Sequence, residues 1–244
     1  MPSVLVVQHN PAEGPALLAV ALTAADCAPV IVRTDRGDPI PSAIGDHAGL
    51  VVMGGASSAA SDEGFPTRLE ELALLADAVA AGVPTLGVCL GAQLLAAATG
   101  GSVHPGEQPE IGWAPVTLSA DAEIDPLFAG CPQTFNVLHW HGETFHLPPA
   151  ATHLAASASY RNQAFRVGDA AWGLQFHIEV DRAAVTAFVK AFDDEADHAA
   201  GGAAGILAGG SALDRPTYPG AHLAERFARL VANHHLSSRP SLGP

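Results

Sequence analysis

Gly87-Val88-Cys89-Leu90-Gly91-Ala92-Gln93 is the stretch whose reading decides the fold. Before it stands Val83-Pro84-Thr85-Leu86, short and apolar, which reads as a buried strand. After it, Leu94-Leu95-Ala96-Ala97-Ala98 is made of good helix formers and is stopped by Gly100-Gly101. A cysteine is thus placed where a strand turns sharply into a helix, with a glycine two residues to either side. Such a turn strains the backbone of its central residue and brings its flanks together, so the flanks must be small. The joint also sets the sulfur at a helix N-terminus, where free N–H groups and the helix dipole favour a thiolate.

Working outward, the N-terminal half alternates strands and helices. Val4-Leu5-Val6-Val7, Pro29-Val30-Ile31-Val32 and Leu50-Val51-Val52-Met53 read as strands buried on both faces. Helices are expected over 16–25 and 69–81, the second with Leu72, Leu75, Ala76 and Val79 on one face. This alternation predicts an α/β fold, a doubly wound, mostly parallel central sheet with flanking helices. Ligands of such sheets sit beyond the carboxyl ends of the strands. Gly54-Gly55 and Cys89 both fall there and are expected to face one crevice.

From about residue 111 the pattern changes to short extended runs at 113–118, 134–140, 153–157, 163–167 and 172–176. These predict an antiparallel strand region bordering the parallel sheet, followed by a helix over 182–192. The remaining 193–244 reads as a Gly/Ala-rich linker and, after Pro216 and Pro219, a C-terminal helical extension over 222–232 that packs on the domain or mediates a homo-oligomer.

A cysteine nucleophile needs a base, and the base needs an orienting group. In Gln175-Phe176-His177-Ile178-Glu179, His177 and Glu179 are two apart and point the same way along an extended backbone. The carboxylate would fix the imidazole tautomer and stabilise the imidazolium. Glycines at 54 and 55 allow backbone N–H donors to approach an oxyanion closely, and the N–H of Leu90 offers a second donor.

These residues closely resemble the class I (triad-type) glutamine amidotransferase domain, over roughly 4–192, in a form similar to the amidotransferase domain of GMP synthase. Met53-Gly54-Gly55 and His141-Gly142-Glu143 before Leu147-Pro148 add to the likeness. The resemblance implies a flavodoxin-like fold and attack of Cys89 on the glutamine side-chain amide. His177 would be the base, Glu179 its orienting partner, and Gly55 and Leu90 the oxyanion donors. Gln93, Trp140, Gly142 and Glu143 would form the glutamine pocket. It also implies a γ-glutamyl thioester and no cofactor. Three positions depart from the family pattern: Ile178 and Ala56 stand where proline is usual, and Glu143 where the GMP-synthase type has aspartate.

Composition narrows the partners. A net charge of −14 disfavours nucleic acid and anionic membranes. Three cysteines at scattered spacing describe no disulfide framework, and neither a signal peptide nor a spanning stretch is seen, so a cytoplasmic protein is expected. His139, His141, His146 and His153 lie on extended segments without a carboxylate or cysteine at recognised spacing, so no metal is expected. No phosphate loop of the P-loop kind is present, so an ammonia-releasing enzyme would need a synthase subunit as acceptor. The alternatives are a stand-alone γ-glutamyl amide hydrolase or transferase using the same triad, and a non-catalytic binding member of the fold. A cysteine-elbow protein of the chaperone or glyoxalase kind would not need the His-x-Glu pair.

Overall fold

The computed structural model describes residues 1–214 and 218–238. A nine-stranded sheet forms its middle. In chain order the strands are β1 (Ser3–Gln8), β2 (Ala28–Arg33), β3 (Gly49–Val52), β4 (Thr85–Val88), β5 (Ser102–Leu118), β6 (Thr134–His146), β7 (Thr152–Ala156), β8 (Ala164–Val167) and β9 (Ala171–Leu174). Across the sheet they run β2-β1-β3-β4-β9-β8-β7-β5-β6. The first five in that order are parallel, and from β9 to β6 every ladder is antiparallel.

The continuous apolar runs are explained by burial on both faces. Val4, Val6 and Val51 join one cluster, with Leu18 and Leu22 of α1 (Ala16–Ala24). Leu5, Val7, Leu50 and Val52 join the other, with Leu74 and Leu75 of α2 (Arg68–Ala80) and Leu94 and Leu95 of α3 (Leu90–Ala98). Each fully buried aliphatic side chain contributes roughly 1.5–3 kcal/mol of hydrophobic stabilisation.

Two details correct the sequence reading. β2 is not buried: it ends the sheet order, and Val30 and Ile31 are 43% and 42% exposed. On α2 the buried residues are Glu71, Leu74, Leu75 and Ala78, while Ala76 is exposed and Leu72 and Val79 are half-buried. The helix is turned so that the Glu71 carboxylate enters the interior, where His9 and Thr67 hydrogen-bond it. An apolar pattern cannot register a buried acid.

The described residues after 192 fold onto the sheet and its helices. The stretch read as a linker contains α5 (Asp193–Ala196) and α6 (Gly202–Gly209), which follow α4 (Arg182–Ala191). Ala196, Ala199 and Ile206 share a third apolar cluster with Leu138 and Trp140 of β6 and with Val185 and Phe188 of α4. α7 (Pro219–Ser238) sends Leu223, Phe227 and Val231 into the same cluster as Leu18 and Leu22 of α1. Gly49 packs closely there: a Cβ on it would lie 2.9 Å from a Val231 methyl. Pro216 lies outside the described residues. Among the described residues no helix is long and apolar enough to cross a membrane.

Candidate active site

The strand-to-helix joint has the geometry its glycines require. Cys89 has φ 51° and ψ −107°, in the positive-φ half of the backbone map that L residues avoid. Such strain costs of order 1–3 kcal/mol and persists only where surrounding structure enforces it. Here β4 enforces it from one side and the first turn of α3 from the other, where the N–H groups of Ala92 and Gln93 bond the Cys89 carbonyl. A Cβ on Gly87 would lie 2.3 Å from the Gly91 carbonyl oxygen, and one on Gly91 would lie 2.0 Å from that of Val52. The Cys89 N–H is fixed by the Leu174 carbonyl of β9 at 2.8 Å. Its thiol is 3.5 Å from the Trp140 carbonyl oxygen and accepts a 3.8 Å contact from the Gln175 amide.

His177 follows β9 rather than lying in it, since that strand ends at Leu174. A single bridge replaces the ladder: the His177 N–H bonds the Leu138 carbonyl of β6 at 2.9 Å. His177 and Glu179 point the same way, with Nδ1 2.7 Å from Glu179 Oε1, and both side chains are buried. His177 Nε2 has no hydrogen-bond partner among the described residues. Burial works against the charged imidazole. The charge and hydrogen bond of Glu179, together with the neighbouring Cys89, outweigh it, so the pKa of His177 lies well above its ordinary value.

A cavity of about 380 Å³ opens over Cys89. Gly55, Gln93, Trp140, Gly142 and Glu143 all line it. Leu90 does not: its side chain is buried in the core. Among the described residues no hydrogen bond engages the N–H of Gly55 or Leu90. Gln93 Nε2 donates to the Glu143 carbonyl and to Gln175 Oε1, each at 3.2 Å. Glu143 Oε1 accepts from the Ser58 hydroxyl at 2.6 Å.

Several lining residues escaped the sequence reading: Glu13, Ser57, Ser58, Phe188, Phe192, Glu195 and His198. Glu195 and His198 come from the tail, and Glu195 Oε2 accepts from the Trp140 indole N–H at 2.8 Å. Glu13 sits in the loop beyond the carboxyl end of β1, where the sheet rule could have found it. Burial pushes its carboxyl up to about 7, against the pull of His177 and His9 and with the help of Glu179 and Glu195.

The four clustered histidines separate. His146 stacks on His104, and His153 bonds the Arg161 carbonyl. His139 and His141 meet Glu110, and the three ligand atoms lie within 4.8 Å of one another. The carboxylate that local spacing did not supply arrives across the β5–β6 ladder, where Glu110 pairs with His141. Its Oε2 accepts from Gln163 Nε2 at 2.6 Å and lies 3.1 Å from His141 Nε2. His139 Nδ1 is 3.3 Å away, and neither of its nitrogens has a hydrogen-bond partner among the described residues. Burial opposes ionisation of Glu110, yet the two imidazoles hold it well below the usual carboxylate range.

Comparison with known proteins agrees with this architecture. The chain is 32% identical over 173 residues to the glutamine amidotransferase-like protein YfeJ of Salmonella typhimurium, covering 69% of this chain and 72% of that one. It is 45% identical over 100 residues to the GMP synthase of Thermomicrobium roseum, covering 41% of this chain and 18% of the synthase. It therefore spans less than a fifth of that relative's length. Among solved structures, a glutamine amidotransferase of Methylobacillus flagellatus superposes with TM-score 0.84 at 31% identity, covering 100% of this chain and 98% of the other. A glutamine amidotransferase of Thermotoga maritima also gives 0.84, at 28% identity, covering 95% of this chain and 98% of the other. With the family model of Glutamine amidotransferase class-I matching residues 16–190, the chain belongs to the class I glutamine amidotransferase family.

Proposed function

We propose that the chain hydrolyses the side-chain amide of glutamine through a γ-glutamyl thioester on Cys89. Family membership supports glutamine amide hydrolysis or ammonia transfer in general terms. The observation that carries the finer reading is a strained Cys89 facing the cavity beside a buried His177–Glu179 pair bonded at 2.7 Å.

In this mechanism Cys89 Sγ attacks the amide carbon, and the thiol proton goes to His177 Nε2. The carbonyl electron pair moves onto oxygen, where the N–H groups of Gly55 and Leu90 hold it. Collapse of the intermediate breaks the C–N bond, and His177 returns the proton to the departing ammonia. Water then adds to the thioester with His177 again as base, and glutamate leaves. Glu179 keeps the imidazole oriented and offsets its charge.

The pocket suits an amino acid. Glu143 and Glu195 line it, and among the described residues no lysine or arginine does, so its field attracts an α-ammonium group. Gln93, Trp140 and Gly142 also line it. The ammonia acceptor is a synthase subunit, a proposal supported by the GMP synthases among the relatives.

The test is glutamate release from L-glutamine and from a panel of γ-glutamyl amides, with Cys89→Ala as control. Glutamine turnover lost in the variant supports the reading. Release from bulkier γ-glutamyl amides in preference to glutamine replaces it with a free-standing hydrolase. Turnover retained by Cys89→Ala defeats both.

A further inference from the structure

We infer that His9, clamped by Glu71, is a positioning residue that aims the Gly54–Gly55 peptide at the reacting carbonyl. The inference rests on the glutaminase reading and extends it by naming what holds the oxyanion donor in place.

His9 directly follows β1, the strand at which the parallel sheet reverses its winding order. Its ring is 7% exposed, with Nδ1 3.0 Å from the Gly54 carbonyl oxygen and Nε2 2.7 Å from Glu71 Oε2. A carbonyl oxygen only accepts, so Nδ1 carries a proton. Opposite a carboxylate, Nε2 carries one as well. The arrangement therefore calls for an imidazolium. Glu71 is fully buried and has its other oxygen occupied by the Thr67 hydroxyl at 2.7 Å, so it is fixed at both ends. Glu13 adds a second nearby carboxyl, and Phe65 packs edge-on against the ring at 5.8 Å. Burial alone would lower the His9 pKa, but Glu71, the Gly54 carbonyl and Glu13 raise it overall.

The consequence follows from peptide geometry. The Gly54–Gly55 peptide is planar, and among the described residues there are no cis bonds, so the Gly54 C=O and the Gly55 N–H point in opposite directions. Capturing the carbonyl on the His9 side commits the N–H to the other side. Gly55 itself lines the cavity with Cys89. The loop is closely packed at this point: a Cβ on Gly55 would lie 2.8 Å from Leu90 Cδ2 and 2.9 Å from His9 Cβ. A cation on the carbonyl oxygen also polarises the peptide and strengthens its N–H as a donor. Ala56, where the family usually has proline, leaves this task to side chains.

His9→Gln and Glu71→Gln test this, each checked for an unchanged melting temperature. Three readouts separate positioning from general disruption: kcat and KM for glutamine, binding of L-glutamate γ-semialdehyde, and the rate of iodoacetamide alkylation at Cys89. The aldehyde adds to the thiol as a thiohemiacetal and places charge on the same oxygen, whereas alkylation builds no oxyanion. We expect His9→Gln to lower kcat by about 10- to 100-fold with KM within about threefold, and to weaken the aldehyde by a similar factor. Alkylation should stay within about twofold of wild type, and Glu71→Gln should give a smaller effect in the same direction. Unchanged kcat and aldehyde affinity overturn the inference, as does a matching loss of alkylation. Wild-type turnover with an indifferent His9→Gln defeats this inference alone, whereas a wild-type chain that neither turns over nor captures the aldehyde defeats the glutaminase reading with it. If the wild type captures the aldehyde without turnover, the aldehyde arm decides.

Discussion

Gly91 of α3 rests against the backbone of Val52 in β3, so close that a methyl group on its Cα would stand 2.0 Å from the Val52 carbonyl oxygen. Alanine is ordinarily better than glycine in a helix by about 1 kcal/mol. Here the sign reverses, because the obstacle is backbone and cannot swing away. Gly91→Ala should destabilise the fold by about 1–3 kcal/mol or more. Gly142→Ala is the contrast: nothing lies within 4 Å of its added Cβ, yet the residue lines the cavity. It should melt like wild type and bind substrate more weakly. Urea titration of both variants with a KM measurement for the second checks the pair.

Cys89 offers a test of strain. Both Cys89→Ala and Cys89→Gly delete the sulfur and should abolish turnover. Only glycine adopts φ 51° without cost. The glycine variant should therefore match or exceed the alanine variant in stability, by up to about 1–3 kcal/mol. A less stable glycine variant would show that the elbow holds no strain.

Glu13 links the cavity to pH. Its carboxyl titrates near 7 in the folded chain and near 4.5 when unfolded. Between those values the folded state binds more protons than the unfolded one, so stability falls as pH rises. The loss approaches about 3 kcal/mol above pH 7. The raised His177 acts in the same direction, its stabilising share being lost as pH climbs through its folded pKa. Glu13→Gln should remove only the first contribution. Denaturant curves at pH 5 and pH 8 should show the variant gaining on wild type at the higher pH, and parallel losses in both proteins would refute the assignment.

Glu179→Gln should lower the pKa of His177, because the Glu179 charge is the strongest influence raising it. The amide still accepts from Nδ1, so orientation survives in part. Turnover should fall less than in His177→Ala, which removes a general base worth about 10²–10⁴-fold. Proton NMR of the imidazole reads the pKa directly, and an unmoved titration contradicts the pairing.

The legible parts of the molecule were those with local chemistry. The elbow was readable because glycine, cysteine and glycine at fixed spacing have few other uses. The His177–Glu179 pair was readable because two residues on one extended segment share a direction. β2 was misread because a sheet edge has the same apolar composition as its centre, and only its neighbours tell them apart. Glu13, Glu71 and Glu195 were missed because a buried acid is defined by partners far away in sequence, such as His9 for Glu71. The Glu110–His141 contact arises only once β5 and β6 pair. Gly and Ala at 201–210 looked like a linker, although small residues also let α6 lie close to its neighbours: a Cβ on Gly209 would lie 2.2 Å from the Trp113 ring.

The pairing of β4 with β9 has a consequence for the life of the chain before it is finished. Cys89 leaves the ribosome with strands β1, β3 and β4 already made, but His177 is encoded 88 residues later. At about 5–20 residues per second, the thiol waits roughly 4–18 seconds for the base proposed for it. α7, which covers the sheet face beside α1, is made later still. On the proposed mechanism, a nascent chain that has not yet reached His177 carries an unarmed cysteine.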